Sequence, residues 1–220
     1  LIPIIAPTLG KFLMLTYNWQ AIFNVQLILG ALVMFWFWKR QPETLDLSKR
    51  IPFKTAALVS GFKVFFKFKQ AVAFTLISGF ITGSFMVYLS STQHIFEVQY
   101  GLGEDFPLIF ASLAIGVGFA TYLNGVFVLK VGMKRIALIS LIAYSLSSLV
   151  YVLLFINKVN PHLWILLFFF GIQFTAIGFL FGNLRALAMQ PIGHIAGVGA
   201  AINGFISTVM GVFIATLIGA

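Results

Sequence analysis

The 220-residue chain contains no cysteine, which excludes disulfides, thiolate metal sites and cysteine nucleophiles. Charge is scarce as well. Asp, Glu, Lys and Arg make up 9% of residues, where soluble domains average about 25%, and so few could not cover a water-facing surface. Acid is scarcest: the five carboxylates are Glu43, Asp46, Glu97, Glu104 and Asp105. None lies inside a long apolar run, so the chain lacks the intramembrane acids that mark proton relays and cation sites. His94, His162 and His194 are far apart and fall at the ends of apolar runs, which argues against a shared metal site. No His-Glu-x-x-His motif, phosphate loop or carboxylate pair occurs. The chain therefore reads as a non-enzyme with no cofactor.

What is abundant is apolar. Sixty per cent of residues are hydrophobic, 26 are Phe, and the mean hydropathy is +1.04. This is the composition of an integral membrane protein. A helix needs about 20 apolar residues to cross the hydrocarbon. Seven stretches fit: 1–16 (a remnant), 20–38, 70–92, 106–129, 135–156, 162–184 and 195–219. Their continuity favours helices over the alternating strands of a barrel. The chain lacks an initiator Met and begins and ends within apolar sequence, so it reads as a fragment.

The net charge of +9 is explained by where the cations stand, without any nucleic acid. Lys39, Arg40, Lys49, Arg50, Lys54, Lys63, Lys67, Lys69, Lys130, Lys134, Arg135 and Arg185 fall on one side of the alternating spans; only Lys11 and Lys158 fall on the other. The basic side is expected in the cytoplasm of a cell-membrane protein. Residue 1 is then inside and residue 220 outside, opposite to seven-helix receptors, and the last span has no lysine for a retinal Schiff base. Residues 39–69 form a basic linker, in which Ile51 to Lys69 reads as an amphipathic helix at the headgroups. Small residues recur every four positions at Gly79-Gly83, Gly193-Gly197-Ala201 and Gly211-Ala215-Gly219, a spacing that lets helices approach closely.

Several segments resemble one family. Ala6-Pro7-Thr8-Leu9-Gly10-Lys11, followed by Trp19-Gln20-Ala21-Ile22-Phe23, resembles the G-P-x-x-G-G antiporter signature and the W-R-x-I-F loop after it, with Ala6 and Lys11 replacing two glycines. Pro42-Glu43-Thr44-Leu45 is similar to the P-E-T-L that follows a sixth helix. Tyr100-Gly101-Leu102 with Phe106 and Phe110 resembles the entry to an eighth. Gln190-Pro191-Ile192-Gly193-His194-Ile195-Ala196-Gly197 resembles E-P-x-G-H-x-A-G at the start of an eleventh, with Gln190 for Glu. Asn124 with Gly132-Met133-Lys134-Arg135 resembles a degenerate G-x-x-x-D-R-x-G-R-R loop lacking its Asp. On these motifs the chain is identified as resembling the major facilitator superfamily, in its Bcr/CflA-type drug:proton antiporter branch.

The resemblance implies an all-α membrane fold, part of a twelve-helix bundle with helices five to eleven present. Residues 1–38 would close the N-terminal half, 39–69 would be the cytoplasmic linker, and 70–220 would begin the C-terminal half. It implies proton-coupled efflux of small hydrophobic drugs or metabolites. The partners would be substrate, proton, lipid and the missing helices of the same transporter, which would carry the coupling acids. Pro7 and Gly10 would form the antiporter-motif bend. Gln173, Thr175 and Asn183 in helix ten, Asn203 in helix eleven, and Ser78, Thr82 and Tyr88 in helix seven are polar inside spans. They read either as interhelical glue or as cavity lining. His194 and Arg185 read as interface residues. Two alternatives stand beside this reading. One is a transporter of the same fold for a sugar, amino acid or siderophore; the other is a truncated membrane protein that transports nothing.

Overall fold

The computed structural model describes residues 9–10, 12–43, 55–103, 105–157 and 160–219. Pro7 and residues 44–54 of the basic linker lie outside these. Residues 9–10 and 12–16 are helical, and the helices that follow are α1 (Trp19–Arg40), α2 (Thr55–Lys67), α3 (Lys69–His94), α4 (Phe106–Val131), α5 (Met133–Phe155), α6 (Leu163–Met189) and α7 (Ala196–Ile218). Six of these, all but α2, have 22 to 27 residues. Each is long enough to cross a bilayer at about 1.5 Å per residue. The protein is an all-α, multi-pass membrane protein.

Helix ends follow local chemistry. Asn18 caps α1 by accepting from the Ala21 N–H at 3.0 Å. Pro107 sits in the first turn of α4, where its missing N–H leaves no hydrogen bond unmade. The α4–α5 connection is a single residue, Gly132, at φ +86°. A side chain there would clash with its own backbone, so only glycine turns the chain this tightly at low cost. Helical geometry runs on over the 56 residues Leu163–Ile218, yet Ile192 (φ −119°, ψ 26°) breaks it within the 3₁₀ turn Gln190–Ile195. Pro191 stands immediately before Ile192, offers no N–H to the helical ladder and crowds the carbonyl one turn back. Two spans result.

Packing is centred on α6, which contacts α3, α4 and α5 and more lightly α7, while α4 and α5 scarcely touch each other. The other main seam joins α3 and α7 along their length. Ile81, Ala137, Ile177, Leu180 and Leu184 form the core where α3, α5 and α6 meet. At the basic end a second core holds Phe65 of α2, Ala71, Ile192 and Ile202. The helix expected over 51–69 is thus partly drawn into the bundle: Phe65 is wholly buried and Gly61 lies against Val198, while Phe62, Lys63, Phe66 and Lys67 are exposed. Outward faces remain apolar, as at Leu129 and Leu153, which suits lipid rather than water. Helix α1 buries none of its residues in this chain.

The small-residue stripes divide. Gly79 faces Met210 and Gly83 faces Ile214, while Gly211 lies beneath Thr82, Met86 and the Gly83 backbone. These close the α3–α7 seam. Gly193 and Gly197 have open space where a side chain would project, so that stripe packs no helix among the described residues. Among the glycines, the tightest fit against another helix's backbone is at Gly178 of α6. A Cβ there would lie 2.6 Å from the Val117 carbonyl oxygen and 2.7 Å from Ala120 Cβ. The Thr121 hydroxyl reaches across the same crossing to the Gly178 carbonyl at 3.3 Å.

Gly178→Ala should therefore lower stability by roughly 1–3 kcal/mol, because a backbone oxygen cannot move aside as a side chain would. Gly171→Ala, on the same helix but facing open space, should change little. Thermal unfolding in detergent separates the two; equal melting temperatures would contradict the account.

Candidate functional site

In hydrocarbon a side-chain amide must find a partner inside the protein, and the three amides singled out on α6 and α7 have each done so. Asn203 Nδ2 donates to Thr75 Oγ1 at 2.7 Å across the α3–α7 seam, with both residues buried. Asn183 Nδ2 donates to Asn124 Oδ1 at 2.6 Å, joining α6 to α4, and to the Phe179 carbonyl at 2.9 Å. Gln173 Nε2 donates to Ser148 Oγ at 3.1 Å, joining α6 to α5. Each amide serves a different seam. Gln173 and Asn203 stand on separate seams with separate partners.

The remaining candidates spread in the same way. Ser78 is buried on α3, and Thr82 packs against Gly211 in the α3–α7 seam. Thr175 turns its hydroxyl back to the Gly171 carbonyl at 2.8 Å. It lines a cavity of about 570 Å³ between α5 and α6, with Ile139, Ser140, Phe168 and Phe179. Tyr88 is enclosed by aromatic rings from two neighbouring helices, with Phe174 edge-on at 4.6 Å and Phe170 at 5.3 Å from α6, and Phe110 at 6.2 Å from α4. Gly10 is helical and borders a cavity of about 420 Å³ with Met14, Ile22, Gln93 and Phe106. His194 is exposed at the basic end, beside the Phe68 ring.

Among the described residues, three buried hydroxyls lack a hydrogen-bond partner: Tyr88, Thr92 one turn further on α3, and Ser207 one turn beyond Asn203 on α7. Buried hydroxyls without partners carry a desolvation penalty. At the less basic end, the Tyr100 hydroxyl donates to the Pro161 carbonyl at 2.8 Å and ties the α3–α4 loop to the α5–α6 loop. Partial burial raises the Tyr100 pKa above its ordinary value, which keeps the phenol in its donating form.

Two partners in this network, Thr75 and Ser148, do not stand out in the sequence. Thr75 continues the Gly79-Gly83 face one turn toward the helix start, and that periodicity is the signal that could have found it. Ser148 is one of two adjacent serines, and nothing in the sequence favours it over Ser147. The structure gives Gln173 to Ser148, while both serine hydroxyls also donate to the Tyr144 carbonyl.

Membrane-length helices, apolar on their outer faces and joined by isolated polar pairs, define a helical-bundle membrane protein of the multi-pass class. The Major Facilitator Superfamily profile matches residues 1–215, and the chain belongs to that superfamily. It is 28% identical over 220 residues to YdgK, an uncharacterized MFS-type transporter of Bacillus subtilis (strain 168), covering 99% of this chain and 54% of that protein. It is 24% identical over 228 residues to a bicyclomycin resistance protein homolog of Haemophilus influenzae, with coverage of 99% and 54%. The chain thus spans about half the length of these curated relatives. No solved structure matches it significantly.

The Asn203–Thr75 bond is accessible to a double-mutant cycle of Asn203→Leu and Thr75→Val. Interhelical hydrogen bonds in membranes average about 0.6 kcal/mol and reach about 1.7. The buried setting of this pair places its coupling energy in the upper part of that range. Additive effects of the two changes on unfolding would show that the bond contributes nothing.

Proposed function

We propose that the chain belongs to a secondary active transporter of the cell membrane that exports small hydrophobic drugs or metabolites in exchange for protons. The observation that carries this reading is the superfamily match over residues 1–215. The resistance-protein name of one relative supports the drug-export arm, and the motif resemblance supports the Bcr/CflA branch. Residues 1–38 are assigned to the end of an N-terminal half, 39–69 to a cytoplasmic linker and 70–220 to a C-terminal half. In such folds the substrate binds near the midplane between the halves, which rock to expose it to either side.

In this reading α3, α4, α6 and α7 form one wall of the substrate cavity, and Ser78, Thr82, Tyr88, Gln173, Thr175, Asn183 and Asn203 set its polarity. The hydrogen bonds of the three amides favour a second role for them, holding seams together, and substitution distinguishes the two roles. In the full-length transporter, Gln173→Leu that changes which compounds are exported while preserving stability supports cavity lining. Lower stability with an unchanged export profile assigns the residue to packing.

Coupling requires an ionisable group within the membrane, and the spans of this chain supply no carboxylate. Residues 1–220 alone in proteoliposomes should therefore show no proton-driven drug flux, while the full-length transporter should show it. Flux from the isolated chain would overturn the assignment of coupling to other helices. Orientation is tested in the same protein, whose segment here contains no cysteine to interfere. Gln99→Cys should react with an impermeant thiol reagent in intact cells and Lys130→Cys should not. The reverse pattern would invert the topology.

A further inference from the structure

The basic end of the bundle carries a cavity that the transport reading does not use. It measures about 710 Å³, within the range of small-ligand sites, and opens between the first turns of α3 and α5 and the end of α6. Lys134, Gln70 and Gln190 supply its polar wall, and Phe74, Met133 and Leu187 supply its apolar wall. Gln70 Nε2 is held by the Leu187 carbonyl at 3.3 Å, which fixes one amide in place at the rim. No carboxylate lines the cavity. Among the described residues, Lys134 has no ion pair or hydrogen bond of its own. Lys67, Lys69, Lys130, Arg135 and Arg185 stand at the same end, whereas Glu97 and Asp105 stand at the opposite ends of their helices.

The geometry points to a site for the phosphate of an anionic phospholipid, phosphatidylglycerol being the simplest such lipid. A phosphate diester needs a cation and several N–H donors within a few ångströms, and one lysine with two amides supplies both. Gln70 and Lys134 are each the second residue of their helix, and Gln190 directly follows α6. All three therefore lie within a turn of the ends of membrane-spanning helices, the depth at which headgroups sit. Free phosphate shares the polar chemistry but would leave Phe74, Met133 and Leu187 facing water, whereas a lipid covers them with its glycerol and first acyl carbons. A membrane-surface field from the surrounding cations adds to the preference for an anionic over a zwitterionic headgroup.

The test is native mass spectrometry of the full-length transporter in detergent, titrated with phosphatidylglycerol or phosphatidylcholine. Phosphatidylglycerol should bind more tightly, and Lys134→Gln should weaken its binding about fivefold. Lys134→Arg should retain it. Lys130→Gln removes the same charge from the same end but outside the cavity, and should leave binding unchanged. Melting temperature gives a second readout: added phosphatidylglycerol should raise it in the parent and in Lys134→Arg but not in Lys134→Gln. Equal loss in the Lys130 and Lys134 variants would reduce the effect to surface charge and overturn the site. Equal binding of the two lipids, or displacement of the lipid by millimolar inorganic phosphate, would overturn the lipid assignment. Because the readout is lipid binding, failure of the transport reading leaves this result standing, and the converse also holds.

Discussion

A polar group inside the hydrocarbon has no water to turn to, and this single constraint organises the structure. It makes the backbone helical throughout the spans, since a helix satisfies its own N–H and C=O groups. It also favours side-chain amides that reach a neighbouring helix. Asn203, Asn183 and Gln173 do so toward α3, α4 and α5 in turn. Apolar contact alone would hold these helices in no particular rotation, because lipid tails are as apolar as leucine. The amide pairs supply the directionality.

Close approach is the second consequence. Where two helices gain little from excluding lipid, dispersion between tightly fitted surfaces has to hold them. Gly79, Gly83 and Gly211 let α3 and α7 lie against each other, and Gly178 does the same for α6 against α4. Helix α6 thereby becomes the element through which α3, α4 and α5 are related. Helix α1 has no such seam, and its exposed faces are left to lipid or to other helices.

Charge divides the molecule along the other axis. Cations gather at one end of the helices, and Glu97 and Asp105 occupy the other. That asymmetry orients the protein and concentrates positive potential at a single membrane surface. It gives the cavity around Lys134 its chemical character, since the same shape lined at the acidic end would reject phosphate. At the opposite end, the loops are tied together through the neutral Tyr100–Pro161 hydrogen bond.

The membrane class, the approximate limits of the six described membrane-length helices, and the basic end were legible in the sequence. Hydropathy and charge act locally: a run of twenty apolar residues enters lipid whatever its neighbours are. Family membership was legible in short motifs such as Gln190 to Gly197. Partner choice was not. That Gln173 meets Ser148, that Asn203 meets Thr75, and that the Gly193-Gly197 stripe meets nothing among the described residues depend on the rotation of each helix about its axis. A helix apolar on every face carries little record of that rotation in its own sequence. Only the tertiary structure decided it, because the rotation is set by the fit of several helices at once, where one glycine or one amide on a neighbour outweighs the uniform apolar surface around it.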